Sequence, residues 1–178
     1  MDAFSENGRA PASRVKLVVL DVDGVLTDGS VALDGAGAES KRFQVFDGTG
    51  IRLLLHYGFE VGLLSARQSP VVAARAQELG MSFYHDGVVD KRPKLEEILE
   101  ASGYSREQLC YVGDDIIDLS CLLLSGFPVA VANARPEVKR VAAYVTRQRS
   151  DEGAVREVAE LLLKAQGRWD SVLQRSLS

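Results

Sequence analysis

Short apolar runs alternate with longer amphipathic segments along this 178-residue chain, and this alternation constrains its fold most strongly. The apolar runs, each long enough for one strand, lie at 15–20, 61–64, 82–85, 109–112, 128–131 and 144–146. Helical periodicity fills the intervals, near 50–57, 70–79, 94–101, 116–124, 136–143 and 154–166. Continuous apolar strands that alternate with helices are typical of a parallel sheet covered on both faces. The sequence therefore predicts an α/β fold with a doubly wound parallel sheet.

Three segments lie outside this rhythm. Residues 30–46 contain two short extended runs around a Gly-rich turn, which predicts a β-hairpin projecting from the sheet. The small, polar residues 1–13 predict a loose, disordered arm, and residues 167–178 a C-terminal tail. We expect a single domain over 14–166, since no other segment is long enough to form a second domain.

Charge and hydropathy exclude several classes of partner. The chain has 21 basic and 25 acidic residues, a net charge of −4, which disfavours binding to nucleic acid or to an anionic membrane surface. No apolar stretch approaches the roughly 18 residues of a membrane span, and residues 1–13 lack the apolar core of a signal peptide. Cys110 and Cys121 lie in apolar runs and are expected to be buried and reduced. We therefore predict a cytoplasmic protein.

Polar and charged residues follow four consecutive apolar runs. DVDGVLTDG begins with Asp21 and Asp23, SAR begins with Ser65, DGVVDK ends with Lys91, and GDDIID contains Asp114. Alone, each has an ordinary interpretation as a turn, a helix cap or a solvated side chain. Together they fall where the carboxyl ends of parallel strands form a ligand crevice, which favours a single functional site.

The chemistry of these residues indicates phosphoryl transfer. Gly24 lets the chain turn directly after Asp23, and clustered carboxylates, which Asp114 would complete, need a cation; hard oxygen ligands suit Mg²⁺. The Ser65 hydroxyl, the Lys91 ammonium and helix N-terminal amides would suit a dianionic phosphate. A carboxylate nucleophile and a second carboxylate for proton transfer complete a route through an aspartyl phosphate.

The motifs DVDGVLTDG, LLSAR, DGVVDK, YVGDDIIDL and DEGAVREV resemble those of the haloacid dehalogenase superfamily, from about Val15 onward. The resemblance is to its small cap-less branch, and it implies a HAD-like, Rossmannoid domain without a cap. It also implies a Mg²⁺-dependent phosphatase acting on a 2-keto-3-deoxy sugar-acid phosphate. The first expected substrate is 3-deoxy-D-manno-octulosonate 8-phosphate, with a role in lipopolysaccharide assembly. The alternative is the same mechanism on a nonulosonate 9-phosphate or another sugar phosphate.

The resemblance also implies roles for the acidic residues. Asp21 would be the nucleophile that becomes phosphorylated, and Asp23 the general acid and base. Mg²⁺ would be held by Asp21, the backbone carbonyl of Asp23, and Asp114, while Asp115 and Asp118 would support the waters of the metal.

The family further implies how substrate and subunits are held. Ser65 and Lys91 would bind the transferring phosphoryl group. Members are typically homotetramers in which the hairpin, here about 30–46, enters a neighbouring site and replaces the missing cap.

This chain departs from the family pattern at three positions. Ala66 replaces a glycine between Ser65 and Arg67, Phe46 replaces a basic residue before Asp47-Gly48, and Asp86 replaces a glutamine. One positive charge is lost and one carboxylate gained, which disfavours an anionic sugar carboxylate. Arg67 is then the main candidate for binding that carboxylate.

Two other classes fit less well. A signalling receiver domain places its phosphorylated aspartate after a middle strand, whereas here Leu63-Leu64 leads directly into Ser65. An inactive regulatory relative would be expected to lose the nucleophile or the acid/base, whereas Asp21 and Asp23 are both present.

Overall fold

A six-stranded parallel sheet forms the centre of the computed structural model, which describes residues 10–176. Its strands are β1 (Leu17–Leu20), β4 (Glu60–Leu64), β5 (Phe83–His85), β6 (Leu109–Gly113), β7 (Phe127–Ala130) and β8 (Tyr144–Val145). The spatial order is β5-β4-β1-β6-β7-β8, so β1 lies between β4 and β6 and is buried along its whole length. The predicted strands are confirmed, and so is the parallel sheet.

Helices cover the sheet in two layers. They are α1 (Val45–His56), α2 (Pro70–Leu79), α3 (Lys91–Ser102), α4 (Leu119–Leu124), α5 (Pro136–Val141), α6 (Ala154–Ala165) and α7 (Trp169–Ser176). Helix α1 contacts α2 and α6, while α4 contacts α3 and α5, as expected of a doubly wound sheet. Helix α1 begins five residues before the predicted start. Its early glycines, Gly48 and Gly50, obscured the periodicity although both are buried.

Helices α1 and α6 approach closely at these early residues. A Cβ added to Gly50 would lie 3.0 Å from Arg156 Cα, so only a glycine lets the two backbones come so near. The buried carboxylate of Asp47 accepts a hydrogen bond from the Arg156 backbone N–H at 2.7 Å, in the first turn of α6. Burial raises the pKa of Asp47 to about 7. Asp47 thus joins the start of α1 to the start of α6.

The hairpin is shorter than predicted. Strand β2 (Ala32–Leu33) pairs antiparallel with β3 (Glu39–Ser40), and an isolated bridge between Thr27 and Phe43 closes its base. The predicted range of 30–46 is wrong at its end, because Val45 and Phe46 already belong to α1. Gln44 has extended backbone angles and marks the change from hairpin to helix.

The described residues near each end of the chain are more regular than expected. Residues 1–9 of the predicted arm lie outside the described residues, whereas residues 10–12 are helical and Ala12 is buried. In the predicted tail, α7 buries Val172, and the Trp169 ring lies 4.8 Å from Lys164 Nζ. An ammonium over an aromatic face is a favourable contact that short-range patterning does not reveal.

No helix among residues 10–176 is both long and apolar enough to cross a bilayer. The same residues form no further unit that could act as a cap domain. Cys110 and Cys121 are both buried and free, as predicted.

Candidate active site

The first predicted site residues lie where the order of the strands in the sheet reverses. Asp21 follows β1 and Asp114 follows β6, the neighbouring strand, and the chain leaves β1 toward β4 before returning to β6. The Asp21 backbone N–H donates to the Val112 carbonyl at 3.0 Å, which continues the β1–β6 ladder by one residue. A crevice outside such strand ends is where open α/β sheets bind ligands.

Lys91 holds the centre of the site together. This residue is only 1% exposed, and its ammonium donates to Asp21 Oδ1 at 2.5 Å and to Asp118 Oδ1 at 2.7 Å. Burial opposes its charge, but the two carboxylates outweigh that effect and keep the pKa of Lys91 above its ordinary range. The first residue of α3 is therefore a fixed cation inside the site.

Asp118 supports the neighbouring loop. Its fully buried Oδ1 also accepts from the Tyr111 hydroxyl at 2.8 Å. Its Oδ2 accepts from the backbone N–H groups of Asp114 at 3.1 Å and Asp115 at 3.4 Å. Both oxygens are engaged, so Asp118 fixes Lys91 and the loop that carries Asp114. Tyr111 was missed in the sequence because it looks like any other apolar residue of a buried strand.

Asp114, in contrast to Asp118, has a carboxylate oxygen that is not engaged. Its Oδ1 is buried and has no hydrogen-bond partner among the described residues. Burial, reinforced by Asp21, Asp118 and Asp115, raises the pKa of Asp114 to about 8. Burial and Asp118 likewise raise the pKa of Asp21 to about 6, against the effect of Lys91. A buried acceptor without a donor requires an explanation.

A divalent cation fits this arrangement. One oxygen each of Asp21, Asp114 and Asp118 lies within 4.8 Å of the others. Hard cations bind such carboxylate oxygens and would relieve their mutual repulsion. Because both Asp118 oxygens already accept hydrogen bonds, Asp21 and Asp114 are the better ligands and Asp118 orients them.

The turn after β1 brings these groups together. Gly24 has a φ of +97°, and an added Cβ would lie 2.2 Å from Asp114 Oδ2. The Asn133 side-chain amide donates to the Gly24 carbonyl at 3.0 Å and accepts from the Ser150 N–H at 2.8 Å. Asn133 therefore ties the turn to the loops after β7 and β8. Sequence analysis assigned Asn133 no role, since nothing in ANARP indicates that its amide reaches the Gly24 turn.

Asp23 lies apart from the carboxylate cluster, among cations. Its Oδ1 forms an ion pair with Lys41 of the hairpin, and its Oδ2 lies 3.6 Å from Arg67 Nε. Arg67 also donates to Glu39 Oε1 at 3.3 Å, and half of its side chain is exposed. The structure therefore brings Arg67 to the second aspartate, and its contact with a substrate carboxylate stays a prediction. Lys41 and Glu39 were not identified from the sequence.

Two predicted residues make mainly local contacts. The buried Ser65 follows β4, and its hydroxyl donates to the Arg67 carbonyl at 3.0 Å and accepts from the Arg67 N–H at 3.2 Å. Asp115 Oδ1 accepts from the Ile116 N–H at 2.7 Å, as a capping residue does. A phosphate role for Ser65 and a role near the metal for Asp115 stay predictions.

The three positions that depart from the family pattern differ in burial. Ala66 is half-buried between Ser65 and Arg67, whereas Phe46 is 63% exposed in the first turn of α1. Asp86 lies beside the Tyr84 hydroxyl, whose pKa is raised by burial and by this carboxylate.

This geometry defines a class of enzyme: hydrolases of phosphate esters that use a buried aspartate beside a divalent cation and a fixed lysine. A profile of the haloacid dehalogenase-like hydrolases matches residues 65–158. The chain is 40% identical over 168 residues to the 3-deoxy-D-manno-octulosonate 8-phosphate phosphatase KdsC of Escherichia coli K12, covering 94% of this chain and 89% of that protein. The chain therefore belongs to the haloacid dehalogenase-like hydrolases, and it is a phosphatase of the cap-less branch.

Solved structures agree with this assignment. The 3-deoxy-D-manno-octulosonate 8-phosphate phosphatase of Moraxella catarrhalis, in complex with magnesium, phosphate and KDO, has a TM-score of 0.94 and 35% identity, covering 97% of this chain and 99% of that one. The cobalt-bound phosphatase of Haemophilus influenzae has a TM-score of 0.85 and 36% identity, covering 88% and 92%.

The raised pKa values predict a pH dependence in chelator. Asp21 and Asp114 have folded-state pKa values of about 6 and 8, above 3.8, so their protonation stabilises the fold at low pH. That stability is lost as pH rises through 6 and 8. We expect Asp114→Asn to raise Tm in EDTA, and by several degrees more at pH 8.5 than at pH 5.5. Mg²⁺ should stabilise the unmodified protein more than the variant. A Tm difference independent of pH would contradict this prediction.

Proposed function

We propose that this enzyme hydrolyses 3-deoxy-D-manno-octulosonate 8-phosphate to the free sugar acid and phosphate, in lipopolysaccharide assembly. The observation that carries this proposal is the 40% identity, over 94% of the chain, to proteins named for that activity. The carboxylate cluster supports the reaction type, because the Lys91-bound Asp21 lies beside the unpaired Asp114 oxygen.

In the first step, an Asp21 carboxylate oxygen attacks phosphorus and the bond to the sugar oxygen breaks. Asp23 gives its proton to that leaving oxygen, so the products are an aspartyl phosphate and the neutral sugar hydroxyl. In the second step, water attacks the phosphorus and Asp23 accepts its proton. The Asp21 carboxylate is released together with inorganic phosphate.

The fixed charges of the chain favour these two reaction steps. Lys91 orients Asp21 and favours its ionised form, and its charge offsets that of the incoming phosphoryl group. The Ser65 hydroxyl would bind a phosphoryl oxygen once it leaves the Arg67 carbonyl. Bound Mg²⁺, held by Asp21, Asp114 and the Asp23 carbonyl, would supply charge stabilisation of the transferring group.

The proposal also specifies which sugar the substrate carries. Arg67 is half exposed and would pair with the sugar carboxylate, in competition with Glu39 and Asp23. Asp86 adds a negative charge near this edge, and Phe46 supplies none of the positive charge that the family resemblance implies before Asp47. These features keep a nonulosonate 9-phosphate or another sugar phosphate as the second candidate.

The assembly is proposed to be a homotetramer. The hairpin exposes Val31 and Leu33, which are 42% and 64% exposed, and the first turn of α1 exposes Val45 and Phe46. Exposed apolar side chains on a projecting hairpin are typical of an interface between subunits. A neighbouring hairpin would also exclude water from a site that has no cap.

Replacement of the nucleophile tests the covalent mechanism. Asp21→Asn keeps the size of the side chain but removes the attacking carboxylate, so we expect kcat to fall at least about a thousandfold. Phosphate release is measured with Mg²⁺, with chelator as the metal control. Retained folding is checked by circular dichroism. Near-normal turnover by the variant would contradict the aspartyl-phosphate route.

A substrate panel tests the sugar. We expect kcat/KM for 3-deoxy-D-manno-octulosonate 8-phosphate to exceed that for a nonulosonate 9-phosphate and for glucose 6-phosphate by about tenfold or more. Glucose 6-phosphate lacks the carboxylate that Arg67 would bind, and the nonulosonate carries it one carbon farther from its phosphate. Arg67→Met should reduce this preference with little effect on glucose 6-phosphate. A higher kcat/KM for another member of the panel would make that compound the first candidate substrate.

A hairpin variant tests the assembly. Leu33→Asp places a charge on an exposed apolar position of β2, so we expect sedimentation velocity to show dissociation of the tetramer. The control, Leu123→Asp, changes an exposed leucine of α4 that is 68% exposed. A monomer in the unmodified protein, or an intact tetramer in Leu33→Asp, would refute the proposed interface.

A further inference from the structure

Four charged side chains around the second aspartate form a closed network. Lys41 pairs with Asp23 Oδ1 and lies 3.4 Å from Glu39 Oε1. Arg67 reaches Asp23 Oδ2 at 3.6 Å and Glu39 Oε1 at 3.3 Å. Two cations and two carboxylates therefore alternate, and both oxygens of Asp23 have a cationic neighbour.

Lys41 is the unusual member of this network. It lies in the short segment after β3, where a lysine ordinarily extends its ammonium into solvent. Here its side chain has no exposed surface. A buried ammonium is tolerated only where carboxylates offset its loss of hydration, and Asp23 and Glu39 do so.

Glu39 connects the network to the rigid part of the fold. Its Oε2 accepts a hydrogen bond from the Ser69 hydroxyl at 2.5 Å, and that hydroxyl in turn accepts from the Val72 N–H at 3.4 Å. Ser69 is the N-cap of α2, so strand β3 is attached to the start of that helix. Strand β3 therefore anchors the hairpin at the catalytic edge of its own chain.

We infer that Lys41 is a positioning residue for catalysis: together with Glu39, it holds the Asp23 carboxyl group in the orientation needed to exchange a proton with the sugar oxygen. This inference rests on the proposed phosphatase reaction. Lys41 itself transfers no proton and forms no bond to phosphorus. Its effect passes through Asp23, which follows the nucleophile Asp21 by two residues.

This role has a kinetic signature because only poor leaving groups need a proton. A sugar alkoxide must be protonated as it leaves, whereas nitrophenolate is a weak base that departs unaided. The later attack of water on the aspartyl phosphate is common to both substrates, so the difference lies in kcat/KM, which reports formation of that intermediate. A misplaced Asp23 therefore lowers kcat/KM for a sugar phosphate and changes that for p-nitrophenyl phosphate little. A lysine that instead bound the phosphoryl group would affect both substrates equally.

The test compares Lys41→Met on two substrates. We expect kcat/KM for 3-deoxy-D-manno-octulosonate 8-phosphate to fall about 100-fold, and that for p-nitrophenyl phosphate to stay within about threefold. Lys41→Arg, which keeps the charge, should recover most of the loss. Lys94→Met is the matched control, since Lys94 pairs with Glu97 on the outer side of α3, and should leave both rates unchanged.

A double variant tests whether Lys41 acts through Asp23. Adding Lys41→Met to Asp23→Asn should lower the sugar-phosphate rate no further than Asp23→Asn alone, because the group that Lys41 positions is already lost. Glu39→Gln, a smaller change, should shift the substrate ratio in the same direction if Lys41→Met folds poorly. Full additivity, or equal losses on both substrates, would overturn the inference. Failure of the unmodified enzyme to hydrolyse any sugar phosphate would instead refute the proposed function itself, and the inference with it.

Discussion

The site depends on a single buried ammonium. Lys91 lies between Asp21 and Asp118 with almost no exposed surface, and without it two carboxylates would face each other in a region sheltered from water. Like charges at such separations drive one group to protonate. Lys91 offsets part of this repulsion, and the unpaired Asp114 oxygen marks where a cation would offset the rest. The central strands and α3 are positioned so that this balance is possible.

Much of this arrangement could be predicted from the sequence because it follows from periodicity and strand ends. The alternation of apolar runs and helices gave the sheet, and the sheet placed Asp21, Lys91 and Asp114 at one edge. Where prediction was incomplete, the cause was tertiary. The start of α1 contains two glycines that allow close packing, Gly48 against α2 and Gly50 against α6, so local propensity could not reveal it.

The residues missed in the site share another property. Tyr111 and Asn133 act through side-chain hydrogen bonds, to Asp118 for Tyr111 and to Gly24 and Ser150 for Asn133, and nothing in the local pattern indicates these partners. Lys41 and Glu39 lie in the polar stretch ESKRF, where charged side chains are usually solvated. Only the fold of the hairpin over the sheet edge turns them inward. Periodicity finds residues that are inside because they are apolar, and it cannot find those that are inside because they are paired.

The hairpin itself has two parts with different freedom to vary. Strand β3 and the segment after it carry Glu39 and Lys41, which are bonded to the catalytic edge of their own chain, whereas Leu33, opposite Glu39 on β2, is exposed. Substitutions on β2 can therefore change the exposed surface of the hairpin while the contacts of β3 with the second aspartate are kept. The two strands of one short hairpin are thus expected to evolve at different rates.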